Sequence, residues 1–117
     1  QGKNLPGLNV QKGLERIGGS VQLYVEIIQE YCDTNENFVL EFKALLDKGL
    51  LEEAKIKAHA LKGAAGNISA EELYTAAAAL EKACLDNDRE MIEPLLKTVG
   101  QELDVVLETA QHLDSLL

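Results

Sequence analysis

Ala54-Lys55-Ile56-Lys57-Ala58-His59-Ala60-Leu61-Lys62-Gly63-Ala64-Ala65-Gly66-Asn67-Ile68-Ser69-Ala70 is the stretch on which the reading of this chain turns. Stepped at 100° per residue it is a helix. With His59 at zero, Leu50, Ala54, Leu61, Ala64, Ala65 and Ile68 gather on the far side, so the histidine points away from the apolar face. Lys55, Lys62, Gly63 and Gly66 fall within roughly 60° of it by the same arithmetic. A glycine inside a helix costs roughly 1 kcal/mol relative to alanine, and here two of them flank one imidazole. They leave that face open to an approaching partner. Leu51 and Ile56 sit at its edges and supply apolar surface for docking. From Ala54 to Ala70 the only charged side chains are lysines, in a chain with 20 acids, 11 bases and a formal net charge of −9.

The rest of the composition agrees with a helical protein. Hydrophobic residues make up 46% of the 117 but aromatics only 4%, with no Trp and two Pro, so the apolar content is mainly Ala and Leu. That balance predicts an all-α domain with one core. The acidic surface argues against nucleic acid and anionic membranes as partners. Apolar runs are too short for a membrane span, and no signal core opens the chain. Cys32 and Cys84 have no partner spacing for zinc and read as reduced thiols of a cytoplasmic protein.

Working outward, residues 1–6 read as a disordered lead and 7–117 as the domain. Asn9 caps a short helix carrying Val10, Leu14 and Ile17, which Gly18-Gly19 stops. Ser20 caps the next, with Leu23, Tyr24, Ile27, Ile28 and Tyr31 as its core stripe, interrupted by Asp33-Thr34-Asn35. Phe38, Val39, Phe42, Leu45 and Leu46 form a third stripe that Gly49 ends. Glu52 and Glu53 open the histidine helix. Ser69-Ala70-Glu71-Glu72 has the form of a capping box for a helix bearing Leu73, Ala76, Ala77, Leu80 and Cys84. Asp88 then caps a last helix to the C-terminus, with a kink or late start near Pro94 and a stripe from Ile92 to Leu117. With the second and third stripes on separate helices or on one bent rod, these elements predict an antiparallel up-down four-helix bundle, with the short N-terminal helix covering one end.

The chemistry of the open face follows from imidazole. A solvated, neutral ring offers a nitrogen nucleophile without a catalytic base. Phosphoryl transfer needs positioning and charge neutralisation above all, and Lys62 is placed to stabilise the phosphoryl oxygens. No glycine-rich phosphate loop occurs, so the reading is of a phosphate carrier without a kinase or nucleotide site of its own. His112, with no glycine neighbours and acids nearby, reads as an ordinary surface residue. The competing reading is a helical module that docks its partner through the same face without phosphate. A metal-binding bundle would need paired carboxylate and Glu-x-x-His ligands, which the sequence lacks.

Ala58-His59-Ala60-Leu61-Lys62-Gly63-Ala64-Ala65-Gly66-Asn67-Ile68 also resembles the signature of histidine-containing phosphotransfer (HPt) domains of bacterial two-component phosphorelays. Leu5-Pro6-Gly7-Leu8-Asn9-Val10, with Gly13-Leu14 and Gly18-Gly19, resembles the start of HPt domains at the ends of hybrid sensor kinases. The resemblance implies that His59 accepts a phosphoryl group from a receiver-domain aspartate and passes it to another, through its distal nitrogen Nε2. Lys62 would stabilise the phosphate, with Gly63 and Gly66 giving access and Lys55, Ile56 and Leu51 completing the docking face. No cofactor of its own is implied, the magnesium belonging to the receiver partner. The chain would be a cytoplasmic piece of a hybrid kinase, which the absence of an initiating Met also suggests. Ser69 stands where many relatives have glycine, and is expected to serve as a helix cap.

Overall fold

The computed structural model describes residues 5–116. It consists of helices α1 (Val10–Arg16), α2 (Val21–Asn35), α3 (Phe38–Asp47), α4 (Leu51–Asn67), α5 (Glu71–Leu85), α6 (Arg89–Gln111) and α7 (Leu113–Leu116). No strand occurs among the described residues beyond an isolated bridge between Leu5 and Leu8. The all-α class is as the composition predicts.

Two of the expected caps form. The Asn9 side chain accepts from the Lys12 N–H and Ser20 from the Leu23 N–H, each at 3.2 Å, so each satisfies one of the free donors at its helix start. The interior is then built mostly by α4, α5 and α6. Ala54, Ala58, Leu61 and Ala65 of α4 are buried with Leu73, Ala76, Ala77, Leu80 and Ala83 of α5. The small side chains allow the two axes to approach closely, and α4 with α5 is the most extensive helix pair in the molecule, followed by α5 with α6. Along α6 the buried residues Ile92, Leu96, Val99, Leu103, Val106 and Ala110 advance in alternating steps of four and three, a continuous seam. α2 and α3 lie against α6, and α3 also reaches α4. Phe38 and Phe42 fill the core between them, fully buried with ring centroids 5.6 Å apart.

Several local expectations change. Residues 1–4 of the expected lead lie outside the described residues, but Leu5 and Pro6 are held: Leu5 and Leu8 exchange backbone hydrogen bonds, and Thr109 donates its hydroxyl to the Pro6 carbonyl at 2.7 Å. α2 runs through Asp33-Thr34-Asn35, with Glu36 as its C-cap, because the Thr34 and Asn35 side chains bond back to the carbonyls of Glu30 and Tyr31 within the helix. Leu23 lies on the exposed flank of α2, leaving Tyr24 and Ile28 as its buried residues. α6 is continuous through Pro94 from Arg89, so the expected late start does not occur. It stops at Gln111 rather than the C-terminus, with α7 following; Leu117 lies outside the described residues.

Ser69 does not cap α5, and Asp88 makes no side-chain cap for α6. The links are so short that the same residues must terminate the preceding helix. Ser69 adopts φ +57 while the Ala70 N–H bonds to the Ala65 carbonyl and the Ser69 N–H to that of Gly66. This is the left-handed C-terminal motif. Asn87, at φ +55, ends α5 in the same way, with the Asp88 N–H on the Ala83 carbonyl. A left-handed serine costs about 1 kcal/mol, a cost that a glycine at position 69 would avoid.

Candidate functional site

α4 exposes one face over the α4–α5 pair, and His59 stands at its middle with 66% of its side chain accessible. The three-residue link folds α5 back along α4, pairing positions equidistant from Ala70. Glu81 thereby arrives opposite His59. Its Oε2 lies 2.7 Å from His59 Nδ1, and its Oε1 lies 2.8 Å from the Lys62 ammonium. One carboxylate therefore bridges the imidazole and the lysine.

The bridge fixes the ring. An ionised carboxylate can only accept, so Nδ1 carries the proton and donates it to Glu81, leaving the Nε2 lone pair free. The hydrogen bond from Lys62 holds the Glu81 carboxyl below the usual glutamate range, against the opposing effect of burial, and the bond from His59 pulls the same way. Glu81 in turn raises the Lys62 ammonium above the usual lysine range, mainly through their hydrogen bond. Both groups are thus charged at neutral pH.

The two glycines differ. A Cβ placed on Gly63 would meet nothing within 4 Å, whereas one on Gly66 would reach ordinary contact with the Tyr74 ring of α5, at 3.4 and 3.5 Å. Ile56 is exposed, one turn before His59. Lys55 pairs with Glu52 of its own helix at 3.0 Å and is not joined to the cluster. Leu51 is partly buried against the core. His112 caps the end of α6, as a surface residue.

Glu81 is the residue that sequence reasoning missed, together with Tyr74 and the exposed Leu85 on the same side of α5. The signal was available. His59 precedes Ala70 by eleven residues and Glu81 follows it by eleven, while Gly66 and Tyr74 stand four away on either side. An antiparallel hairpin of helices brings such pairs together, and applying that register to the sequence would have found both.

Among the described residues no group of three His, Cys, Asp or Glu side chains could hold a metal ion, and no helix is long and apolar enough to cross a membrane. Cys32 and Cys84 are unbonded to one another. Comparison with known proteins gives one family: the model of the Hpt domain matches residues 26–113, three quarters of the chain and all of α3 to α6. No curated protein and no solved structure matches the chain significantly.

Proposed function

The chain belongs to the Hpt domain family, the histidine phosphotransfer modules of two-component phosphorelays, and from that premise we propose that His59 is its phosphoacceptor. The observation that carries the reading is the pairing of His59 Nδ1 with Glu81 at 2.7 Å on an otherwise open helix face. It leaves Nε2 as the nucleophile, aimed at solvent. The Nε2 lone pair attacks the phosphorus of a receiver's aspartyl phosphate, the P–O bond to the aspartate breaks, and the aspartate leaves as a carboxylate. No proton has to move. The ring keeps its Nδ1 proton and gains positive charge, which the facing Glu81 carboxylate offsets. The reverse sequence delivers the group to a second receiver.

Lys62 balances Glu81 in the resting site and lies one turn from His59, within reach of the transferred phosphoryl oxygens. Gly63 gives the receiver access, and Gly66, Lys55, Ile56 and Leu51 complete the docking face on α4. Magnesium is supplied by the receiver, and the chain has no nucleotide site. In this reading α2 and α3 act as one bent rod, and with α4, α5 and α6 they form an up-down four-helix bundle within a domain of residues 7–117. That domain works in the cytoplasm as part of a hybrid kinase.

The test is transfer from a phosphorylated receiver domain. Wild-type protein is expected to take up label that is acid-labile and base-stable, the behaviour of a phosphorus–nitrogen bond, and His59→Gln to take up none. Retained labelling in His59→Gln overturns the assignment.

A further inference from the structure

The face that presents His59 continues past Gly66 into a cleft of about 400 Å³ where α4 ends, α5 begins and α1 crosses. Gly66, Asn67, Ser69, Glu71 and Tyr74 line it, and Arg16, the last residue of α1, supplies its one guanidinium. Gly66 lies seven residues beyond His59 and only about 20° away around the helix, so the cleft is some 10 Å from the imidazole on the same side.

Arg16 is held in place from below. Its Nε donates to the hydroxyl of Ser69 at 3.3 Å, and Ser69 is only 4% exposed in its left-handed turn. α1 itself is clamped to that turn: the Asn9 N–H bonds to the Ser69 carbonyl at 2.9 Å, and Tyr24, packed under Gly13 of α1, donates its hydroxyl to the Ile68 carbonyl at 2.8 Å. The nearby acid is already engaged, since Glu71 takes Lys12 at 3.3 Å and the Asn9 amide at 3.4 Å. Among the described residues Arg16 makes no ion pair. Arg16 as a residue is exposed, at the rim of the cleft, in a chain of net charge −9.

We propose that Arg16 is a docking and specificity residue, which grips a surface carboxylate of the receiver domain while His59 reacts with it. This rests on the reading of His59 given above. An interface of about 800 Å² per partner is roughly 30 Å across, so a receiver seated over His59 covers the cleft. A guanidinium whose Nε is already anchored presents a pre-oriented fork to a carboxylate, geometry that a lysine cannot supply. α1 also lies outside the segment 26–113 that matches the family model. The contact it offers therefore comes from outside the matched segment, placed where it can discriminate between receivers.

The experiment measures initial rates of phosphoryl transfer to the full chain from a panel of receiver domains charged with acetyl phosphate, at low and high salt. Direct labelling of His59 by phosphoramidate serves as the receiver-independent control. Arg16→Ala is expected to raise the half-saturating concentration of the preferred receiver about tenfold, with the saturating rate and phosphoramidate labelling within twofold of wild type and a weaker dependence on salt. Arg16→Lys should recover only part of the loss. An unchanged half-saturating concentration for every receiver that labels His59 overturns the proposal and leaves the phosphoacceptor assignment standing. So does an equal loss of phosphoramidate labelling, which would make Arg16 merely structural. If no receiver labels wild-type protein, the reading of His59 fails and this proposal fails with it.

Discussion

Gly13 in α1 and Gly63 in α4 both stand inside helices, and their surroundings are opposite. A Cβ on Gly13 would fall 2.5 Å from the Tyr24 ring and hydroxyl, whereas one on Gly63 would meet nothing within 4 Å. Gly100 of α6 resembles Gly13, with Val39 at 3.2 Å from such a Cβ. At Gly13 and Gly100 the helix accepts a poor helix former because a neighbour occupies the side-chain space. At Gly63 none of the described residues occupies it. The difference separates a glycine that serves the fold from one that serves a partner, and it singles out the same turn of α4 that carries His59.

The strongest way to break this comparison is to add the missing atoms. Gly13→Ala should destabilise the protein by about 1–3 kcal/mol in urea unfolding, because Tyr24 is fully buried and tied to the Ile68 carbonyl, so it cannot swing aside. Stability equal to or above wild type would show that α1 can shift, and would remove the packing explanation. Gly63→Leu should do the reverse. Its helix gains about 0.5–1 kcal/mol from propensity, while transfer from a receiver slows by at least about tenfold, equivalent to roughly 1.4 kcal/mol. Phosphoramidate labelling of His59 should persist in this variant. A variant that is stable and transfers normally would mean that the open face is not the docking face.

The same contrast explains how much could be read from the sequence. Periodicity and capping identified the helices, the buried stripe of α6, the aromatic core at Phe38 and Phe42, and the exposed histidine, because each depends on residues close in sequence. What failed depended on competition or on register. Ser69-Ala70-Glu71-Glu72 satisfies the capping-box pattern, yet the end of α4 claims Ser69 first. Thr34 and Asn35 look like helix breakers but turn their side chains back onto the helix. The lead that includes Leu5 and Pro6 holds too little apolar surface to order itself, yet these two residues are held by Thr109 from the far end of the chain. Glu81 was hidden for a related reason: its role exists only once α5 lies antiparallel to α4.

Glu81 supplies the smallest and most specific test. The region around Gly13 is held by packing, which does not titrate below the Tyr24 hydroxyl, itself pushed up to about 12 by burial. The site around Gly63 is held by charge. Glu81 is depressed by Lys62 and His59, so its contribution to stability is complete above the ordinary glutamate value of about 4.3 and is lost as pH falls through and below it. Lys62 is raised, so its contribution holds below the ordinary lysine value of about 10.4 and is lost as pH rises beyond it. Glu81→Gln removes the charge and keeps the shape. The difference in melting temperature between wild type and Glu81→Gln should therefore be small, a few degrees at most for a site this exposed, present from about pH 5 to 9 and closing toward pH 3. The deficit of Gly13→Ala should stay level over the same range. A Glu81→Gln deficit that is equally level would mean that the carboxylate acts by shape and hydrogen bonding alone, and would leave the added charge of a phosphorylated His59 without its counter-ion.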